Sequence, residues 1–282
     1  MKQSDDNKYI PMTSTSSGRT RELSDLFYYT NQIVNVVFIG KPQDNSWVLV
    51  DAGMPKSGQE IISVAEDIYG KGSMPSAIIL THGHFDHVGG ITHLLKEWDV
   101  PVYAHPLEFP YLTNQKAYPE PDSSVQGGML AKISAIYPHE PIDISGAVLP
   151  LPDDNSIPEL PQWKWLHTPG HSPGHISLFR EKDRLLISGD AIVTVKQDSL
   201  YKVLVQKKEV HGPPVYLTTD WAAAENSVRK LASLDPEWLI SGHGSMSGQE
   251  LKEGINNLVT NFKELAIPDH GKFVDNKNKD RS

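Results

Sequence analysis

The chain contains no cysteine. That excludes disulfides, thiolate metal ligands and cysteine nucleophiles together. It also lacks any apolar run long enough to cross a membrane, and the polar stretch Met1 to Glu22 has no apolar segment of the kind a secretion signal requires. Positive charge is scarce as well: 26 Lys and Arg stand against 35 Asp and Glu, a net charge of -9. Nucleic-acid binding rests on neutralising phosphates with cations, so this balance argues against it. The basic pair Lys207-Lys208 is followed at once by Glu209 and reads as a solvated turn. A cytoplasmic protein acting on a small molecule, with neither membrane nor nucleic acid as partner, is the expectation; the oligomeric state is left open.

At 282 residues with 38% hydrophobic content, the chain can bury one large core. Composition predicts a flexible N-terminus over 1–20, one domain over 21–268 with an insertion at about 106–161, and a flexible tail over 269–282. Within the domain, apolar runs alternate with amphipathic segments. Strands are predicted at 32–39, 47–50, 77–80, 100–104, 163–166, 175–179, 184–188 and 238–240. Helices are predicted at 58–69, closed by Gly70, at 89–96, near 129–136, from about Asp220 as N-cap to Leu234, and over 248–265.

What is plentiful is histidine in one place. Thr81-His82-Gly83-His84-Phe85-Asp86-His87 follows the apolar run Ala77 to Leu80 and carries three imidazoles and a carboxylate. Such a segment either faces water or holds metal, and imidazole nitrogen with carboxylate oxygen suits zinc and other first-row divalent ions. Three more ligand types follow apolar strands into small-residue loops: His171 in Pro169-Gly170-His171-Ser172-Pro173-Gly174, Asp190 after Ser188-Gly189, and His243 in Gly242-His243-Gly244. Open α/β architectures build their sites at such positions.

This pattern, His-x-His-x-Asp-His with a distant His, Asp and His, resembles the metallo-β-lactamase superfamily over about residues 31–264. The resemblance implies a four-layer αββα sandwich with the site at one edge between two sheets. It implies two divalent ions, zinc foremost with iron or manganese as alternatives. His82, His84 and His171 would hold one ion and Asp86, His87 and His243 the other, with Asp190 bridging. Asp51, in Val50-Asp51-Ala52-Gly53, would support the histidine loop, and His175 would act as a hydrogen-bond partner rather than a ligand. His167 reads as a strand-end residue, and His93 and His105 as packed or solvated.

The implied reaction is hydrolysis, in which a metal-bridging hydroxide attacks the carbonyl of a lactone, ester or thioester and Asp86 orients it or carries its proton. The absence of cysteine excludes the cysteine-ligand β-lactamases, and His84 stands where flavin-dependent di-iron members carry Glu. Acyl-homoserine lactonases place a Tyr three residues after the bridging Asp, where this chain has Val193. Glyoxalase II-like thioesterases carry Cys and Arg in a segment that here reads Ala191-Ile192-Val193-Thr194-Val195-Lys196. A generic acyl hydrolase, glyoxalase II-like or lactonase-like, is therefore the expectation, with Tyr201, His211 and Tyr216 as substrate contacts. The competing readings are a mononuclear iron persulfide dioxygenase-like enzyme and a non-catalytic metal-binding protein.

Overall fold

A computed structural model describes residues 13–23, 25–44, 46–125, 137–195 and 208–274. Seven strands form the first sheet in sequential order: β1 (Arg19–Leu23), β2 (Leu26–Asn31), β3 (Val34–Ile39), β4 (Val48–Val50), β5 (Ala77–Ile79), β6 (Val102–Ala104) and β7 (Val148–Pro150). The pairs from β1 to β4 are antiparallel, and those from β4 to β7 are parallel. The second sheet takes the order β14-β13-β10-β9-β8, from β8 (Trp163–His167), β9 (Ile176–Arg180), β10 (Leu185–Gly189), β13 (Trp238–Ser241) and β14 (Ser245–Ser247). Between them in sequence, β11 (Val193–Val195) and β12 (Lys208–His211) pair as a separate ribbon.

Successive strand side chains point to opposite faces, and that period of two builds the layers. In β3, Val36 and Phe38 join the core under the helices α1 (Gly58–Tyr69) and α3 (Ile91–Glu97), whereas Val37 and Ile39 face the second sheet. In β10, Leu185 and Ile187 meet them from the opposite side with Trp163, Trp165, Ile176 and Leu178. Leu186 turns outward beneath α5 (Trp221–Ala232) and α6 (Gly248–Thr260). Both sheets are thus apolar on two faces, as an αββα sandwich demands. Truncating an inter-sheet side chain such as Ile187 to Ala would cost about 2–5 kcal/mol.

The helices follow the same logic at their own period. Trp221, Ala224, Val228 and Leu231 recur every three or four residues and form the buried stripe of α5. Asp220 caps that helix through its carboxylate, which accepts from the Ala223 amide at 2.9 Å. α1 ends where Gly70 takes φ of 99°, a backbone that L side chains rarely adopt.

Several sequence expectations shift. The strand expected at 32–39 begins at Val34, because Gln32 sits at φ of 57° in the turn joining β2 to β3. Residues 19–20, expected to be flexible, open β1, whose polar side chains hide it from a hydrophobic reading; Ser14 before it is buried and donates to the Gln32 carbonyl at 2.7 Å. The expected insertion is not wholly separate: β7 lies within it and closes the first sheet against β6. The helix expected at 248–265 breaks at Asn261 into α6 and the short α7 (Phe262–Leu265). The tail expected from 269 starts ordered, with the Lys272 amide bonded to the Asp122 carboxylate. The helix expected near 129–136 lies outside the described residues. No helix among the described residues is long and apolar enough to cross a membrane.

Candidate metal centre

Every candidate ligand leaves the carboxyl end of a strand. The β4 end delivers Asp51, and the β5 end delivers His82, His84, Asp86 and His87, the last two on the single helical turn α2 (Phe85–Val88). From the second sheet, β8 leads to His171, β10 to Asp190 and β13 to His243. Asp51 and all seven candidate ligands are buried.

The hydrogen bonds fix which nitrogen each imidazole offers. Asp51 accepts from the Thr81 amide at 2.8 Å and from His87 Nδ1 at 2.7 Å, leaving His87 Nε2 to face the site. Thr81 Oγ1 donates to Asp51, so it accepts from His82 Nδ1 at 3.0 Å. Thr218 donates to the Pro214 carbonyl at 2.8 Å and so accepts from His171 Nδ1 at 3.3 Å. His243 Nδ1 donates to the Ile33 carbonyl at 3.0 Å. In each case Nε2 is the nitrogen turned toward the site. His175 is different: its Nε2 accepts the Asp190 amide at 2.9 Å while Nδ1 donates to Thr168 at 2.8 Å, so no lone pair remains for an ion.

These atoms converge. His84 Nδ1 lies 2.9 Å from His171 Nε2. Asp190 Oδ1 is 3.5 Å from His87 Nε2, and its Oδ2 is 3.4 Å from His171 Nε2 and 3.5 Å from His243 Nε2. Asp86 Oδ2 is 3.4 Å from His243 Nε2. Two ligands on one tetrahedral zinc, each about 2.0–2.1 Å away, would stand about 3.3 Å apart. Three overlapping groups bring all their ligand atoms within 4.8 Å of one another: His82, His84 and His171; His82, His87 and Asp190; Asp86, His87 and His243.

The remaining polar atoms fit a cation. His82 Nε2, His87 Nε2, Asp86 Oδ1 and Asp190 Oδ1 are buried without a hydrogen-bond partner. Native interiors rarely leave such atoms orphaned, and four in one site argue for a cation and its water, which they would ligate or accept from. Burial first, then neighbouring imidazoles, keep His82 and His171 neutral, well below the usual histidine range. Burial likewise lowers His84 to about 4. Burial opposes charge on His87 and His243, but the surrounding carboxylates overcome it and lift both, His243 to about 10.

Small residues make the convergence sterically feasible. A Cβ on Gly242 would stand 2.1 Å from Asp190 Oδ1, and one on Gly189 (φ 52°) would stand 2.5 Å from His175 Nε2. Asn35 holds the His243 loop by donating to the carbonyls of Ser241 and Gly244, both at 2.9 Å.

The expected substrate contacts divide. Tyr216 is buried in an apolar cluster with Ile33, Val34, Met54 and Tyr137, against which Phe85 packs. His211 ends β12, opposite Val193 and 3.1 Å from Glu209. Tyr201 lies outside the described residues. Two residues went unnoticed in the sequence. Tyr137 packs between Phe85 and Tyr216, with ring centroids 5.3 and 5.7 Å away, and its buried hydroxyl has no partner among the described residues. Glu108 is fully buried and touches two ligand loops. Burial raises its carboxyl against the pull of four hydrogen-bond donors.

Comparison with known proteins agrees with this geometry. The chain is 46% identical over 260 residues to the probable metallo-hydrolase YflN of Bacillus subtilis, covering 91% of this chain and 98% of that one. A hydroxyacylglutathione hydrolase of Bdellovibrio bacteriovorus is 33% identical over 68% of this chain and 66% of its own length. The crystal structure of TTHA1623 in a di-iron-bound form superposes with a TM-score of 0.52 at 26% identity, covering 76% of this chain and 89% of that one. The metallo-β-lactamase superfamily model matches residues 29–243, a span that opens in β2 and closes on the last candidate ligand. With two facing sheets and a histidine- and aspartate-lined site at their shared edge, this chain belongs to the metallo-β-lactamase superfamily.

Proposed function

We propose that the protein is a two-metal hydrolase of a small acyl substrate: a lactone, ester or thioester. His82, His84 and His171 would hold one divalent ion, and Asp86, His87 and His243 the second. The observation that carries this reading is Asp190, which stands between the two groups: Oδ2 is 3.4 Å from His171 of the first, while Oδ1 and Oδ2 are each 3.5 Å from His87 and His243 of the second. Two such ions, zinc foremost, supply a water of lowered pKa and polarise the substrate carbonyl. The likeness to TTHA1623, whose crystal structure is of a di-iron-bound form, supports iron as the alternative.

The chain's own groups account for the rest. Hydrolysis adds water to the carbonyl carbon, breaks the bond to the leaving oxygen or sulfur, and moves one proton to that leaving group. Asp86 Oδ1 is buried and unpartnered, while Oδ2 is turned to His243. Oδ1 is therefore the acceptor placed to orient the water and receive its proton. The apolar cluster of Phe85, Tyr137 and Tyr216 beside the loop would take the acyl group and exclude bulk water. Likeness to a hydroxyacylglutathione hydrolase supports a thioester. Ala191 to Val195, after Asp190, offers no Arg or Cys, which argues against glutathione as the leaving thiol.

A single-iron dioxygenase would leave His87 and His243 without work. Both instead present Nε2 to Asp190, which favours the two-metal reading. Metal analysis with a panel of esters, lactones and thioesters tests it. About two ions per chain are expected, with activity abolished by chelation. Asp190→Ala should lower the metal content and cut kcat/KM by about 10²-fold or more, the scale lost when a metal-held reaction geometry is spoiled. Unchanged stoichiometry and activity in that variant would sink the proposal.

A further inference from the structure

Glu108 ends the short 3-10 turn Pro106–Glu108 between β6 and α4 (Phe109–Leu112), and its side chain is completely shielded from solvent. A carboxyl group in such a place needs donors to replace its lost hydration. It has four. Oε2 accepts from the Gly83 amide at 2.9 Å and from the Tyr118 hydroxyl. Oε1 accepts from Ser172 Oγ at 2.8 Å and from the Gly174 amide at 2.7 Å. One oxygen is thus devoted to the loop carrying His82 and His84, and the other to the loop carrying His171 and His175. These two loops come from different sheets.

The surroundings are shaped around this clasp. A Cβ on Gly83 would stand 2.8 Å from the Tyr118 hydroxyl, and one on Gly174 would stand 2.8 Å from Glu108 Cγ. Neither loop could approach the carboxyl group with a larger residue. Tyr118 adds a second constraint: its hydroxyl also accepts from the Gly83 amide at 3.0 Å, and its ring lies 4.3 Å from that of His84. The Tyr118 ring therefore packs against the imidazole of His84 while its hydroxyl holds the amide of the residue before it.

We propose that Glu108 is a positioning residue, touching no ligand itself, that sets the distance between His82 and His84 on one loop and His171 on the other. This rests on the reading that those three histidines share an ion. The group of Asp86, His87 and His243 has no bond to Glu108 among the described residues, so the effect should be confined to one ion of the pair.

Zinc titration against a chromophoric chelator, with the absorption spectrum of the cobalt-substituted protein, tests this in the full-length chain. In Glu108→Gln the amide nitrogen would oppose two donors at one loop. One zinc affinity should fall by about 10–100-fold, the range seen when a ligand's outer partner is removed, while the other stays within twofold. The cobalt spectrum should change for the weakened ion only. Ser172→Ala, which removes one donor and leaves the carboxyl group in place, should show the same single-ion weakening by a few-fold, and it covers the case in which Glu108→Gln does not fold. Equal weakening of both ions, or unchanged affinities and spectrum in both variants, would overturn the proposal. A wild-type chain that binds one ion would instead remove the two-metal reading, and the response of that ion to Glu108→Gln would still decide the role of Glu108.

Discussion

His87 Nδ1 lies 2.7 Å from Asp51 Oδ2, and the Asp51 backbone holds φ of 63° to make that approach. A non-glycine residue in this region costs of order 1–3 kcal/mol and persists only where its surroundings impose it. Here the same carboxylate also receives the Thr81 amide and hydroxyl, so one strained residue orients both ends of the histidine loop.

Asp51→Ala should therefore weaken metal binding without removing a ligand. About a 10–100-fold loss of affinity is expected at the ion shared by His87. Chelator competition measures it. Wild-type affinity in a folded variant would show that Asp51 serves the fold alone.

Tyr137 offers a test with opposite signs for stability and activity. Its hydroxyl is buried without a partner, so Tyr137→Phe removes a polar atom that folding has stripped of water. Thermal stability should hold or rise, by up to about 1–3 kcal/mol. If the hydroxyl instead finds its partner in the substrate, kcat/KM should fall by about 10-fold, the worth of one hydrogen bond. A variant that loses stability would contradict the first part, and one with unaltered kinetics the second.

Away from the site, Arg180 is almost wholly buried and donates to Asp25 at 2.6 Å and to Asp183 at 2.7 Å, with its guanidinium 4.8 Å from the Trp163 ring centre. Partial burial would raise the Asp25 carboxyl, but the bond and charge of Arg180 outweigh it and hold it below the usual range. A carboxyl group depressed by folding stabilises fully above its unfolded pKa, about 3.9, and loses that contribution as pH falls toward the folded value. Asp25→Asn should thus cost about 1.5–3 kcal/mol at pH 7, with the gap to wild type closing under acid. Denaturant melts at several pH values measure it; a gap that widens on acidification would reverse the sign.

How much of this was legible in the sequence depends on the range of each interaction. The loop from Thr81 to His87 compresses four ligands into local order, and His171, Asp190 and His243 each follow an apolar strand, so the ligand chemistry could be read without a fold. The strands β3, β5, β10 and β13 were visible for the same reason: they are short apolar runs between turns. β1 was not, because Arg19, Arg21 and Glu22 lie on an edge with little to bury. Glu108 was invisible for a deeper reason. Its partners stand 10, 25, 64 and 66 residues away, and nothing in Pro106-Leu107-Glu108-Phe109-Pro110 announces them. Periodicity reports which face a residue takes, but not which distant loop will fold against it.

The facing of the two sheets has a last consequence. His82, His84, Asp86 and His87 hang from one sheet, and His171, Asp190 and His243 from the other, so the apolar layer between the sheets acts as a spacer gauge for the ligands. Val37, Val50, Ile187 and Ile240 meet in that layer. Interiors packed this densely transmit the loss of a methylene rather than absorb it. A substitution such as Ile187→Val, with no charge and no contact to the candidate ligands, should then be read in the spacing of the imidazoles as well as in the melting temperature.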